Sequence, residues 1–519
     1  MGEKVAVKTG LTLKSIIILL LLVITGPWWA ILPGYYAATT LHYVSLPWIV
    51  LVWIFMLLPP KYRLTPQELT VICIGYIWLY GQRYVLNGVP YWNSFAYGSV
   101  ILTGQVRGLF SPTLGEAFNK FMPDYLFPVG NREVIANQLL NGIKPGETFP
   151  LGELVIPALV HAIYWTLLFG IVIFLIFGVV GRSWVEDERV IFPHSLSIIE
   201  TFEQMEEDPE TKRPIMLSFR RTKSKLFWYG IIVGVIIAIP LMLSFVLPAL
   251  APFYYEYGEV SLKIPAIAAI PGACALTVFQ YPWMILALMM ASNDVLWTGL
   301  WSYIIFGVIY HALAVQLGWV AYSPGIEYRY NWDPAYIGQQ LPFPYVFLAG
   351  TGISVGIGAI LLFASRRQIK NLIDIVLGRK EDEIDRGLSM RATTYLGLAS
   401  MLLLIIFTTA TGMPVIISVA WMVLFVLYWL CQTRAWAEFW LHQADPAMMK
   451  FYLFHPLGAG TGAWPAVPAE ANQGLFMTYY WAQVMGVCEW RMRCTADLTS
   501  PGFSTFYKIA REAKVNLKY

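Results

Sequence analysis

The sequence is poor in charge. Only 13% of its 519 residues are Asp, Glu, Lys or Arg, about half the share usual in a soluble domain. The hydrophobic share is 57%. A water-soluble fold of this length cannot hide so much apolar surface, so lipid is the expected solvent for most of the chain. Cysteine is scarce too. Cys73, Cys274, Cys431, Cys488 and Cys494 form no Cys-x-x-Cys pair, which argues against a zinc or disulfide framework and leaves small buried hydrophobes as the reading. His-Glu-x-x-His, Gly-x-Ser-x-Gly and metal-spaced Cys/His clusters are absent, so no enzyme, metal or cofactor is expected. The net charge is only +3 and is sorted by loop rather than gathered in a patch, which gives no ground for nucleic-acid binding. Residues 455–462 are glycine-rich but lack a preceding strand and a following Gly-Lys-Ser/Thr. They read as a turn or re-entrant loop, not a nucleotide loop.

What the sequence does have is long apolar runs: 15–31, 43–58, 69–80, 154–180, 227–247, 267–291, 296–317, 345–364, 393–411 and 414–430. About 20 apolar residues cross a bilayer's hydrocarbon layer. The expected fold is therefore an all-α integral membrane protein, a polytopic bundle of roughly 10 (9–13) transmembrane helices forming one domain over 1–519. The short second and third runs read as tilted, broken or re-entrant. At the N-terminus, three lysines precede an apolar run, but Pro27, Trp28 and Trp29 stand where a cleavage site would be. An uncleaved first span is the reading.

The connections sort by charge. The N-terminal tail, Lys61 and Arg63, segments 182–225 and 366–391, and the region 433–519 carry nearly all the Lys and Arg. The intervening connections carry few, apart from a long mixed segment ending in 106–152. The positive-inside rule then puts both termini, 182–225 and 366–391 in the cytoplasm of a multi-pass cell-membrane protein, and 106–152 outside. The region 433–519 reads as cytoplasmic or partly membrane-associated. Residues 200–225 run from an acidic to a basic block, as a solvated loop against the headgroups or as a partner-regulated segment.

Small residues at Gly230/Gly234 and Gly352/Gly356 suit close helix packing, and the run 349–359 suggests a central helix. Pro240, Pro271 and Pro282 interrupt apolar runs as kinks or as breaks at a binding site. Polar residues inside such runs are costly and so informative. His161 (with Trp165), Gln280, Asn293, Asp294 and His311 (with Gln316) are the candidate substrate or ion pathway; Asp294 also reads as a helix N-cap and the histidines as bonded bundle residues. The aromatic segment 328–334 is a candidate lid or an interfacial belt. Arg182, Glu186, Glu188 and Arg189 cluster at a span exit, and Arg182 and Glu186 make an i,i+4 pair. They anchor a helix end or form a gate.

Arg182-Ser-Trp-Val-Glu-Asp-Glu-Arg-Val-Ile-Phe-Pro193, the stretches 122–128 and 131–142, Gly387-Leu-Ser-Met-Arg391 with Ala410-Thr-Gly-Met413, and 500–510 resemble an uncharacterised prokaryotic family of polytopic membrane proteins. That family is distantly similar to oligopeptide transporters. The resemblance implies a helical transporter-like bundle and brings no site residues with it. Members of that family continue with further spans beyond the 508–510 region, whereas this chain stops at Tyr519. The expectation is a minimal version, or helices supplied by a second membrane chain or homo-oligomer.

The leading expectation is a secondary transporter of a small polar solute, peptide-like or a metal chelate, working by alternating access on an ion gradient. A non-transporting membrane subunit or scaffold is the alternative. A membrane-embedded enzyme ranks last, for want of a catalytic motif.

Overall fold

The computed structural model describes residues 9–31, 52, 54, 55, 57–81, 120–123, 125, 126, 138, 144–148, 151–211, 213–218, 222–244, 259–262, 269–273, 276–279, 293–323, 337–345, 352–439, 473–484 and 500–518. Twelve α-helices of ten residues or more stand among them: α1 (Leu13–Ile31), α2 (Pro66–Gly81), α3 (Leu151–Ile173), α4 (Pro193–Met205), α5 (Thr222–Ser244), α6 (Asn293–Ser302), α7 (Ser354–Ala364), α8 (Arg366–Val376), α9 (Met390–Ala410), α10 (Val415–Phe439), α11 (Gln473–Val484) and α12 (Ser500–Glu512). Two stretches are long and apolar because a π-helical segment extends the α-helix: Phe174–Val180 continues α3, and Tyr303–Tyr310 continues α6. Among the described residues, four helical stretches are long and apolar enough to cross a membrane: Ala162–Val180, Asn293–Gln316, Met390–Ala410 and Val415–Glu438. They mark a membrane-associated protein, and they coincide with the expected runs 154–180, 296–317, 393–411 and 414–430.

Local chemistry sets the helix ends. Thr65 and Glu68 form a capping box: the Glu68 amide donates to Thr65 Oγ1 at 3.2 Å, and the Thr65 amide donates to Glu68 Oε2 at 2.8 Å. Pro66 follows at the first helical position, where its missing N–H costs nothing. Thr12 Oγ1 donates to the same carboxylate at 2.6 Å, which ties the start of α1 to that of α2. Ser389 caps α9 by accepting from the Ala392 amide at 3.0 Å. At its other end α9 stops at Gly412, whose φ of +108° a side chain would strain. Pro414 follows, and α10 begins one residue later. So short a connection makes α9 and α10 antiparallel neighbours.

The helices meet at backbone distance. A Cβ on Gly170 of α3 would lie 2.0 Å from Ser400 Oγ of α9, and one on Gly397 of α9 would lie 2.3 Å from the Phe174 side chain. A Cβ on Gly358 of α7 would lie 1.9 Å from the Leu427 carbonyl oxygen of α10. The main core fills the space these contacts leave. Tyr164, Trp421, Phe425, Trp429, Trp481 and Tyr507 are all buried there, with Met122 and Leu126 from the second family-like stretch. A smaller core joins α1, α2, α4 and α12.

Several expectations change. Residues 276–279, inside the expected span 267–291, form strand β2 (Leu276–Phe279), antiparallel to β1 (Glu259–Leu262). Pro271 and Gly272, with φ +83°, make a turn just before it. A short apolar run rich in β-branched residues serves a strand as readily as a helix. Pro240 does not end its helix, which continues to Ser244. The helix α7 is not central on every side: Ile353, Ile357, Ile360 and Phe363 are exposed. Close approach uses Gly358, whereas Gly230, Gly234 and Gly356 face open space. The segment 200–225 is not a bare loop. Its acidic block lies on α4 and the turn after it, and Lys223 of α5 pairs with Glu203 at 2.8 Å and Glu200 at 3.9 Å. Segment 366–391 holds α8 and a tight hairpin, β3 (Ile384–Asp385) with β4 (Leu388–Ser389). The helix α10 runs through Thr433 to Phe439, so the C-terminal region begins inside a helix. Of the cysteines, Cys73 and Cys431 are buried and free. Residues 328–334 and 455–462 lie outside the described residues.

Gly356 and Gly358 make a paired test. Gly358→Ala should destabilise the protein in detergent by about 1–3 kcal/mol, the usual cost of overpacking. Gly356→Ala should be neutral or stabilising, since Ala is the better helix former. Thermal unfolding of both variants checks this; equal effects would mean the α7–α10 contact is not at backbone distance.

Candidate functional site

The densest polar constellation lies at one end of the bundle, where the Ala162–Val180 span ends, α9 begins and α10 ends. The π-helical Ser183–Asp187 carries the chain out of the span. Arg182 Nε donates to Glu186 Oε2 at 3.2 Å, and Arg182 also pairs with Glu383 just ahead of β3. Glu188 accepts from Arg434 Nη1 at 2.5 Å and from Ser183 Oγ at 3.2 Å. Arg434 in turn donates from Nε to Glu438 at 2.6 Å, and its guanidinium lies 5.1 Å from the Trp184 ring centre.

Arg511 of α12 is the centre of the cluster. It is buried, and it pairs with Glu186 and with Asp385 of β3. It also donates to Tyr507 Oη, which lies one turn earlier, and Tyr507 donates to Asp385 at 3.4 Å. A third link runs the other way, from the Arg386 guanidinium to the Arg511 carbonyl. Gly181 makes room for this helix: a Cβ there would lie 2.9 Å from the Tyr507 ring. Burial sets the electrostatics. It pushes the Asp385 carboxyl up, against the pull of Arg182 and Arg386, and it lowers the Arg511 guanidinium to about 10, with Arg182 adding to the shift. Burial also disfavours charge on Arg182, but the hydrogen bond to Glu383 together with the negative charges of Glu383 and Asp385 outweighs it and raises that group.

Three of the four residues of the predicted gate or anchor cluster therefore belong to the network: Arg182, Glu186 and Glu188. Arg189 does not. Its φ of +53° reverses the chain so that the Val190 amide bonds the Trp184 carbonyl, and the Arg189 side chain stays exposed without an ion pair among the described residues. The network draws on two of the family-like stretches, 182–193 and 500–510, and its Glu383, Asp385 and Arg386 stand just before a third, 387–391. Gly387 lies against Asn516, and the Leu517 amide donates to the Arg386 carbonyl at 3.0 Å. Sequence reasoning missed Glu383, Asp385, Arg434, Tyr507 and Arg511. The one available signal was that Arg434 follows directly on a long apolar run, inside the same helix.

The predicted pathway residues do not form one site. Gln280 lies outside the described residues. His161 falls on α3, one turn ahead of Trp165. Asn293 and Asp294 are exposed in the first turn of α6, while His311 lies at the far end of the same continuous helix, on the order of 25 Å away along the axis. His311 is buried, with Nε2 2.9 Å from the Tyr345 hydroxyl, and Gln316 beyond it is exposed. Phe306, Tyr310 and Phe343 surround the pair.

Removing a buried charge strands its partners, whereas removing an exposed one costs little. Arg511→Met should destabilise the protein by about 3 kcal/mol, and Arg182→Gln, half exposed, by about 0–1 kcal/mol. Unfolding in detergent measures both. Similar small losses would mean the network does not hold α12 in place.

Comparison with known proteins places these features in a lineage. No curated protein and no solved structure matches the chain. One family does, over residues 5–517, which is nearly the whole length. The chain belongs to that family, a family of unknown function (DUF6785).

Proposed function

We propose that the protein is a polytopic secondary transporter of a small polar solute, peptide-like or a metal chelate, and that the ionic network is its gate at one end. The observation that carries this reading is the network itself. It joins four stretches far apart in sequence at the ends of three apolar helices. Glu186, Glu188 and Glu383 within it remain partly exposed. Ion pairs of this kind exchange partners at low cost, as an alternating-access gate must. The π-helical segments in two spans add support, since such segments often mark functional positions. The His311–Tyr345 pair is the proposed coupling site for a proton or sodium ion. The likeness to oligopeptide transporters rests on the family-like stretches of sequence and is part of the proposal.

A second reading, a non-transporting subunit or scaffold, has one observation of its own. Gly230 and Gly234 on α5 face open space beside exposed Ile232, Val233 and Ile236, a surface suited to a partner helix. In gentle detergent, a stoichiometric partner would favour it.

Proteoliposomes holding the purified chain, with any partner that copurifies, should take up solute from peptide or metal-chelate pools under an imposed proton or sodium gradient. Glu186→Gln should change the rate without abolishing insertion. Absence of flux across such pools, under either gradient, would overturn the transport reading.

The charge asymmetry of the connections supports a cell-membrane protein with both termini, and the network, on the cytoplasmic side. Cysteines introduced at 215 and 375 should escape impermeant thiol reagents in intact cells and react after lysis. Labelling before lysis would reverse the orientation.

A further inference from the structure

We propose that α8 presents a binding surface for the headgroups of anionic phospholipids, built from Arg366, Arg367 and Lys370 and completed by Ile373 and Leu377. Arg366, Lys370, Ile373 and Leu377 follow a 4-3-4 spacing and so form one stripe of the helix. All four are exposed, as is Arg367 beside them. The opposite face is fixed to the bundle: Leu372 and Ile375 are buried, and Gln368 donates to the Gly178 carbonyl at 3.1 Å. The helix thus presents a cationic first half and an apolar second half.

Its depth follows from its neighbours. The helix α7 leads into α8 through Ser365 alone, and its exposed apolar side ends at Ile360 and Phe363, both 67% exposed. Those side chains are a lipid-facing surface. The Arg366 guanidinium lies 4.4 Å from the Phe363 ring centre and donates to the Phe363 carbonyl at 3.1 Å, at the end of the apolar side of α7. On the far side, exposed Tyr395 donates its hydroxyl to the Val376 carbonyl at 3.4 Å. A tyrosine with an apolar body and a bonded tip marks the level where hydrocarbon gives way to headgroups. The helix α8 therefore lies along that level.

Charge accounting selects the partner. Several neighbouring cations are answered within the chain, Arg379 by Asp374 at 3.5 Å, Lys380 by the neutral Asn371 at 2.7 Å and Lys223 by Glu203 at 2.8 Å, while Arg189 stands apart from α8. Arg366, Arg367 and Lys370 have no acidic partner among the described residues. Three cations that face no carboxylate among the described residues, beside exposed apolar side chains, suit a ligand that is anionic at one end and apolar at the other. A lipid headgroup on its own acyl chains has that form.

The test uses the full chain in uncharged detergent, titrated with phosphatidylglycerol, phosphatidylcholine or soluble glycerol phosphate. Native mass spectrometry counts the lipid retained, and thermal unfolding reads its effect. Phosphatidylglycerol should bind in preference to phosphatidylcholine, and glycerol phosphate should have no effect. The triple variant Arg366→Gln, Arg367→Gln, Lys370→Gln should lose at least about tenfold in apparent affinity for phosphatidylglycerol, while the Arg366→Lys, Arg367→Lys variant keeps it. The single exposed change Lys370→Glu serves if the triple variant does not fold, and it should weaken the preference on its own. Equal binding of the two lipids, an equal effect of glycerol phosphate, or a preference that survives Lys370→Glu would each overturn the proposal.

Discussion

A charge taken out of water must be answered inside the protein, and Arg511 is where this constraint bears hardest. Its guanidinium is buried, and the carboxylates that answer it come from two distant places: Glu186 just past one span and Asp385 in a hairpin just before another. The ion pairs fix α12 against the π-helical Phe174–Val180, seat the Tyr507 ring beside Gly181, and draw β3 and β4 under the start of α9. Removing the guanidinium would leave the largely buried Asp385 carboxylate without its ion-pair partner and take one of the two arginines from Glu186. The signature stretch 182–193 is best understood as one wall of the pocket that holds this arginine.

Much of the fold was legible because the dominant force is coarse. Length and hydropathy decide whether a helix can cross a bilayer, and the runs 296–317 and 393–411 come within three residues of the observed helices. The run 267–291 misled because hydropathy records burial and not backbone conformation. Pro271, Gly272 and the β-branched Thr277 and Val278 carried the contrary signal. Depth and crowding were less legible. The sequence suggested Gly352 and Gly356 for close packing, yet Gly358, two residues on, meets the neighbouring backbone. Rotation about the helix axis, set by tertiary packing, makes that choice.

The ionic site was half legible. Arg182 and Glu186 are one turn apart, so helical spacing reveals them. The pairs Arg182–Glu383 and Arg511–Glu186 span 201 and 325 residues, and no local pattern encodes such partners. The pathway residues failed as a set for a geometric reason. Asn293, Asp294 and His311 lie close in sequence, but an extended helix carries them to opposite ends. The tyrosine that meets His311 comes from another segment, 34 residues on.

The glycine contacts limit how this molecule can change shape. Gly358 meets the Leu427 backbone directly, and Gly170 and Gly397 bring a helix backbone against the Ser400 and Phe174 side chains, which leaves little room for sliding or rotation. The helices α3, α7, α9 and α10 must therefore travel as a single rigid body. Any hinge belongs outside that block, where contacts are made by side chains able to re-pack. The α1–α2 pair meets α12 through side chains such as Gln67, whose amide donates to the Ala513 carbonyl at 2.8 Å, so a rocking movement would pivot there, with α12 and the four-helix block swinging as one piece.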